Sequence, residues 1–470
     1  MLQITRSLAR QLRSVFRRLV SRQNVSAVSL QAGADGLRVR LHAPEVAAEY
    51  HQPGAFPAEQ LTVNLDVLAE TEGRDDSPVV LEKVGTDAVR ARWTDSGIPL
   101  VRDVASPDIS KWQAFPQIAP HLASNPPGLL SALDEAMHCS ANESVRYVTE
   151  KIQLRGSGVV VATDGRQLFW QDGFHFPWEG KDVLVPAVKV FGAKEISRDQ
   201  PVTIGKNESH VSVLVGPWTF FFLADDQGRF PNVEQILSSA SQSRTRWQLD
   251  PEDGAFLAKA LHRLPCGDSD HAVVTVDLNG AVAIRAKAET QANPNELILS
   301  RSTTSGDAAT MALRRDHLAR ALRLGFTQMQ QSSAGSPVLW LDEHRKYLLA
   351  PMSKESVIPP SPHALRVFSG AETSTNPQRK ERTMSMAQTN NDVNDGAAAN
   401  SNGTSNGESS NGASSVAKNL IEEAQMLRTL LRGGYERAGR LISAIRQHDK
   451  RTKTLRAALA SLRQLQQVGA

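Results

Sequence analysis

Residues 159–170 read VVVATDGRQLFW, an Asp-Gly pair between two runs of β-forming residues. Gly readily takes positive φ and Asp tolerates it, so the stretch predicts two strands joined by a tight turn. Asp164 is also a carboxylate that could do chemistry. A catalytic Asp needs a base or metal partner, and the neighbouring sequence offers none, so the turn is favoured over catalysis.

The same layout returns on either side. LARQLRSVFRRLV precedes AVSLQA and GLRVRLHA near the start, GLLSALDEAMHCS precedes the opening stretch, and GAFLAKALHRLP precedes HAVVTVDLNGAVAIRAKA. Each unit predicts a helix, two alternating strands around a Gly turn, and then a second helix. The second helices are LTVNLDVLAET, VPAVKVFGAKEI and RRDHLARALRLG, and further strands follow each. A spacing of about 120 residues is too long for a solenoid and suits three tandem α+β domains. QAFPQI at 113–118 and GRFPNVEQIL at 228–237 close the first two units alike. The expected boundaries are 1–123, 124–243 and 244–357.

Residues 358–415, ending NSNGTSNGESSNGASS, predict a disordered linker, because such composition buries little apolar surface. Residues 416–470 predict a helical tail with an a/d seam through Leu420, Leu427, Leu431, Leu441 and Leu455, interrupted at Gly433-Gly434. A self-association module, a DNA-touching basic helix and a partner-docking helix all fit it. That segment carries eleven Lys/Arg and four Asp/Glu, so a chain of net charge +3 leaves its body mildly acidic.

The N-terminal MLQITRSLARQLRSVFRRLVSRQ has six Arg and no acidic residue. Arg6, Arg10, Arg13 and Arg17 fall on one stripe at helical period. A targeting segment, a solvated amphipathic helix and a phosphate-facing helix are equally compatible with that stripe. Two cysteines, Cys139 and Cys266, give neither a disulfide framework nor a zinc spacing and favour a reducing compartment. No apolar run is long enough to cross a membrane. There is no HExxH, CxxC pair, Walker loop or nucleophile elbow, so no cofactor, no metal and no catalysis are expected. VRYV at 145–148 reads either as a satisfied loop Arg with a half-buried Tyr, or as a phosphate contact beside a stacking ring.

Taken in order, ESVRYVTEKIQLRGSGVVVATDGRQLFW, KDVLVPAVKVF, GRFPNVEQIL and KYLLAPM resemble the bacterial sliding clamp family, the β subunit of DNA polymerase III. The resemblance covers about residues 1–357 and is carried by the combination of motifs. It implies three clamp domains per chain, helices lining a ring and antiparallel sheets outside, with two chains closing around duplex DNA. It implies a cytoplasmic, nucleoid-associated processivity factor that tethers the polymerase and is handled by a clamp loader through short peptide motifs.

By the same resemblance, Thr149, Thr163, Gly165, Arg166, Gln167, Leu168, Leu348, Pro351 and Met352 would form the partner-peptide pocket. Arg6, Arg10, Arg13, Arg17, Arg22, Arg146 and Tyr147 would contact DNA, and Leu261 with His262 would stand at the subunit joint. Thr149 and Ala350 replace larger apolar residues of the family, and Ser238 replaces a Pro. The linker and tail have no counterpart there. A clamp-like adaptor that forms no closed ring and binds DNA or partners through its tail is the alternative function.

Overall fold

In the computed structural model, which describes residues 1–20, 26–109, 112, 114–143, 147–178, 180–266 and 272–370, the elements follow one another in three similar runs. The first run is β1 (Leu2–Thr5), α1 (Arg6–Leu19), β2 (Ala27–Gly33), β3 (Gly36–His42), β4 (Val46–Gln52), β5 (Glu59–Val63), α2 (Leu65–Thr71), β6 (Pro78–Val84), β7 (Ala88–Asp95) and β8 (Ile98–Ala105). The second is β9 (Leu122–Asn125), α3 (Gly128–Cys139), β10 (Lys151–Arg155), β11 (Val159–Thr163), β12 (Gln167–Gln171), β13 (Asp182–Pro186), β14 (Val202–Lys206), β15 (His210–Val215), β16 (Trp218–Leu223) and α4 (Glu234–Ser241). The third is β17 (Thr245–Gln248), α5 (Pro251–Leu261), β18 (Val273–Asn279), β19 (Ala281–Ala286), β20 (Asn295–Leu299), β21 (Thr303–Gly306), β22 (Thr310–Arg314), α6 (Arg315–Arg323), β23 (Gln328–Gln331), β24 (Val338–Leu341), β25 (Arg345–Leu349) and β26 (Leu365–Phe368).

These strands make four sheets. Two are local: β1-β6-β7-β8 and β22-β18-β19-β20-β26. Two are compound, each drawing strands from consecutive runs. The eight-stranded order is β5-β2-β3-β4-β16-β15-β14-β9, and the nine-stranded order is β13-β10-β11-β12-β25-β24-β23-β17-β21. Apart from β21, the second order repeats the first position for position. The join is β4 against β16 in one sheet and β12 against β25 in the other, both antiparallel.

The helices pack together on the sheets' inner faces. α1 lies against α2, α3 against a 3-10 turn at Lys189–Gly192, and α5 against α6. α1 also meets that 3-10 turn, and Arg320 of α6 donates to Glu135 of α3 at 2.9 Å, so the helices run as one row. α1 is amphipathic for this reason: Leu8, Ala9, Leu12, Val15, Phe16 and Leu19 are buried, and Thr5 caps it by accepting from the Leu8 N–H at 3.1 Å. The Phe16 ring meets Trp218 edge-on at 6.0 Å. α5 begins with the Asp250 cap followed by Pro251, a favoured start.

Two expectations change. The second helix of the middle run, expected over VPAVKVFGAKEI, contracts to the 3-10 turn. Pro186 still belongs to β13, paired with Lys151, so the strand takes the start of the expected helix, and Gly192 sits where a side chain would meet Asp134 Oδ1 at 2.6 Å. Residues 358–370 are not disordered linker. Leu365–Phe368 pairs in parallel with β20, with Leu365 N donating to Pro294 O at 3.0 Å and Ser369 N to Ile298 O at 2.9 Å. Arg366 donates to Glu296 at 2.7 Å, and the buried Ser369 hydroxyl accepts from Ser300 N at 2.8 Å. The remainder of the expected linker and the helical tail lie outside the described residues.

Candidate partner pocket and nucleic-acid face

The β11–β12 hairpin is held by Asp164. Its Oδ1 accepts from the backbone N–H of Arg166 (2.7 Å) and Gln167 (2.8 Å), and its Oδ2 accepts from Gln167 Nε2 (3.0 Å). The Thr163 hydroxyl donates to Gln167 O at 2.7 Å and accepts from Gly165 N at 3.0 Å. Gly165 has φ 85°, which explains glycine there. The carboxylate is thus a turn cap, and among the described residues no group of His, Cys, Asp or Glu is placed to hold a metal beside it or elsewhere.

β25 lies directly against this hairpin. Leu168 pairs with Leu348 and Gln167 with Leu349, and Ala350 N donates to Arg166 O at 2.8 Å. Met352 N then donates to Ala312 O at 2.8 Å. The structure therefore brings seven of the expected pocket residues to one place: Gly165 and Arg166 exposed, Pro351 and Met352 half-buried, and Thr163, Leu168 and Leu348 buried. Leu168 and Leu348 belong to a small apolar cluster on the sheet's outer face, closed by Val233, Leu237 and Ala240 of the α4 segment. Sequence reasoning missed α4 as a covering element, although its Leu237 and Ala240 spacing was readable.

Gln167 departs from expectation. Its side chain turns inward, where Oε1 accepts from the Tyr347 hydroxyl at 2.6 Å and Nε2 donates to His138 O at 3.3 Å. Burial pushes the Tyr347 hydroxyl well above its ordinary value, which keeps it a donor. Burial likewise pushes the Cys139 thiol up, so this cysteine is a core residue and not a nucleophile. Thr149 is half-buried, and its carbonyl accepts from Ala141 N at 2.9 Å.

On the helix row, Arg6 leaves the expected stripe. It is buried, and donates to Asp75 (3.2 Å), Asp95 (3.1 Å) and the carbonyls of Thr71, Glu72 and Thr94. It ties α1 to the β1-β6-β7-β8 sheet and is not available to a phosphate, a role that only long-range hydrogen bonds reveal. Arg10 is exposed, while Arg13 and Arg17 are half-buried. Arg13 pairs with Glu72 at 2.7 Å. With the exposed Arg18, which the stripe omitted, these three line a shallow depression of about 510 Å³ that also holds Glu72 and Glu195. Further exposed cations stand on or beside the row at Lys189, Lys194, Lys259 and Arg323. Arg22 and Arg146 lie outside the described residues. Tyr147 is half-buried, with the Arg229 guanidinium 5.5 Å from its ring centre.

At the expected subunit joint, Leu261 is fully buried in its own core and cannot form a surface; His262 beside it is exposed. The helical period puts one of two adjacent residues inside, and here it is Leu261.

No protein-family model and no curated protein sequence matches the chain. Solved structures do. The Bacillus subtilis DNA polymerase sliding clamp superposes with a TM-score of 0.63 at 15% identity, over 75% of this chain and 98% of that one. A putative DNA polymerase III β subunit from Eubacterium rectale gives 0.62 at 13% identity, over 75% and 99%. The DNA polymerase III β sliding clamp of Pseudomonas aeruginosa, bound to griselimycin, gives 0.61 at 19% identity, over 75% and 99%. The chain therefore has the sliding-clamp fold, built mostly from antiparallel sheets with a few helices.

Proposed function

We propose that this protein is a DNA sliding clamp: a non-catalytic processivity factor that encircles duplex DNA and tethers a replicative polymerase. The observation that carries the reading is the end-to-end match, in which nearly the whole length of known clamps is accounted for by this body. The chemistry agrees with it. The helix row presents Arg10, Arg17 and Arg18, and such cations neutralise phosphates while permitting sliding.

The body divides in this proposal into clamp domains 1–123, 124–243 and 244–357. Two copies close the ring in the cytoplasm around nucleoid DNA. Support for closure lies in the two outermost sheets. Of the large apolar residues exposed among the described residues, Ile98, Leu100 and Val101 stand on the edge strand β8, and Leu365, Val367 and Phe368 on the edge strand β26. Unpaired apolar edges call for a partner, and a second copy supplies one for each. His262 is the remaining candidate of the expected joint. Polymerase and loader peptides dock beside Gly165, Arg166, Pro351 and Met352, along the edge of the Leu168–Leu348 cluster that α4 covers.

The test is retention on DNA. Once loaded, the protein is expected to stay on nicked circular duplex and to run off the same DNA after linearisation. Equal retention on both forms overturns the ring. Replacing Arg10, Arg17 and Arg18 together by Ser is expected to weaken association on every sequence alike. It should also flatten the salt dependence, by roughly 0.9 in log–log slope for each phosphate that is no longer neutralised.

A further inference from the structure

We propose a second peptide-docking site, at the join between β4 and β16, which takes a short helix offering one uncharged, leucine-sized side chain. The inference does not depend on the clamp reading. It starts from the repeated strand order of the two compound sheets. Register makes Ala47, paired with Phe221, the equivalent of Leu168, paired with Leu348; the β3–β4 turn at residues 43–45 is then the equivalent of the turn at 164–166.

At the second join the outer face is closed by the chain itself. Phe230 lies against it, and α4 follows, seating Leu237 and Ala240 on the Leu168 and Leu348 cluster. The first join begins alike. Phe115 lies over Phe221 (5.3 Å) and His42 (5.1 Å), with the Arg40 guanidinium 4.8 Å from its ring centre. No helix follows here. Residues 116–121 run on without a helix, and Ala119 N donates to the buried Ser212 hydroxyl at 3.3 Å before β9 begins. An open cavity of about 380 Å³ remains, lined by His42, Pro44, Ala47, Trp112, Phe115 and His210 among others. That volume is in the range of ligand pockets.

The lining defines the occupant. Among the described residues it carries no carboxylate and no ammonium group. Burial, with Arg40 nearby, pushes the His42 imidazole below its ordinary value, and burial does the same for His210, so both rings are neutral at neutral pH. A charged insert would lose its hydration with nothing to replace it. An apolar insert instead meets a tryptophan, a phenylalanine and prolines. α4 shows on the sister face what such an insert looks like: a short helix with Leu and Ala one turn apart.

The experiment uses the full chain and a fluorescein-labelled synthetic peptide of the α4 sequence, VEQILSSASQ, read by anisotropy. Saturable binding is expected. It should weaken at least about tenfold in Ala43→Arg, which blocks the pocket from the half-buried β3–β4 turn at the margin of the core and whose folding is checked by circular dichroism, and in the peptide whose Leu is replaced by Asp. Binding should persist in Met352→Arg, at the other join. Absence of saturable binding, insensitivity to Ala43→Arg, or equal loss in Met352→Arg would each overturn the site. So would Ala43→Arg abolishing self-association while the peptide binds nowhere, because that assigns the pocket to a second copy. Retention on nicked circular DNA by Ala43→Arg keeps this outcome separate from the clamp reading.

Discussion

Leu168 faces Leu348 in the nine-stranded sheet, and Ala47 faces Phe221 at the same register in the eight-stranded one. Around these pairs the outer faces diverge. Val161, Trp170 and Leu339 stand on one, and Arg40, Glu49 and Ser212 occupy the equivalent places on the other. The backbone plan is the same, so strand order does not determine what each join does. The apolar face must be covered and the chain folds α4 onto it. On the other, Arg40 and Glu49 pair with each other, Phe115 lies against Arg40, and an uncharged pocket stays open beside them over His42 and Ala47. Four substitutions or titrations break or sharpen that contrast.

Leu168→Ala carries the largest expected effect. Leu168 is 3% exposed in a cluster with Leu348, Leu237 and Ala240, so truncation leaves a cavity under α4. A loss of about 2–4 kcal/mol in denaturant unfolding is expected. The equivalent position in the first sheet is already Ala47. A loss below about 1 kcal/mol would mean that α4 does not depend on this cluster.

Glu49→Ala comes next. Glu49 is buried and accepts from Arg38 at 2.7 Å and Arg40 at 2.6 Å, so its removal leaves two half-buried guanidinium groups without that partner. The expected loss is about 1–2 kcal/mol, and it should shrink as salt screens the remaining charges. Trp170 holds the same place in the other sheet, and Trp170→Ala should show no such salt dependence. Equal salt responses would remove the electrostatic difference between the two faces.

A smaller effect distinguishes the turns by pH. Burial, with Arg40 beside it, holds His42 below the ordinary value of 6.5, while Thr163 at the equivalent position does not titrate. The folded protein therefore binds fewer protons than the unfolded chain as pH falls past 6.5. Stability is level above that pH and declines below it, until the lowered folded value is passed. Urea midpoints across this range should fall more steeply for the wild type than for His42→Gln. Parallel curves would show that His42 contributes nothing to the slope.

The contrast also explains what the sequence could reveal. Asp164-Gly165 and the alternating strands around it are local signals, and each formed where expected. The four expected pocket residues at Gly165, Arg166, Pro351 and Met352 come together because β12 and β25 pair across a long stretch of chain, which the resemblance supplied and periodicity could not. Arg6 shows the converse. It shares the helical stripe of Arg10, yet five long-range hydrogen bonds take it into the interior. β26 was hidden for another reason: Leu365–Phe368 is a four-residue strand in a Pro-rich stretch, and its order comes from the β20 edge and Glu296. Gln167 and Leu261 are both expected at surfaces; the Tyr347 hydroxyl of β25 holds Gln167 inside, and the period of α5 turns Leu261 into the core.

Asp164→Asn should have the smallest effect, and its size follows from three hydrogen bonds. An Asn carbonyl oxygen can replace Oδ1 and accept from the Arg166 and Gln167 N–H groups, so the turn itself survives. At the Oδ2 position its NH2 group would face Gln167 Nε2, donor against donor. Gln167 cannot flip to relieve this, because Oε1 accepts from Tyr347 and Nε2 also donates to His138 O. One hydrogen bond is lost, which costs about 1 kcal/mol. Asp164→Ala loses all three and should cost about twice as much or more, as removal of a cap does. It also makes the second turn like the first, where Ala43 occupies the equivalent position and the hairpin forms without a cap. Thermal or denaturant unfolding of the two variants checks the order. If Asn proved as costly as Ala, the carboxylate charge would be what the turn requires, and the two hairpins would differ in electrostatics as well as in what covers them.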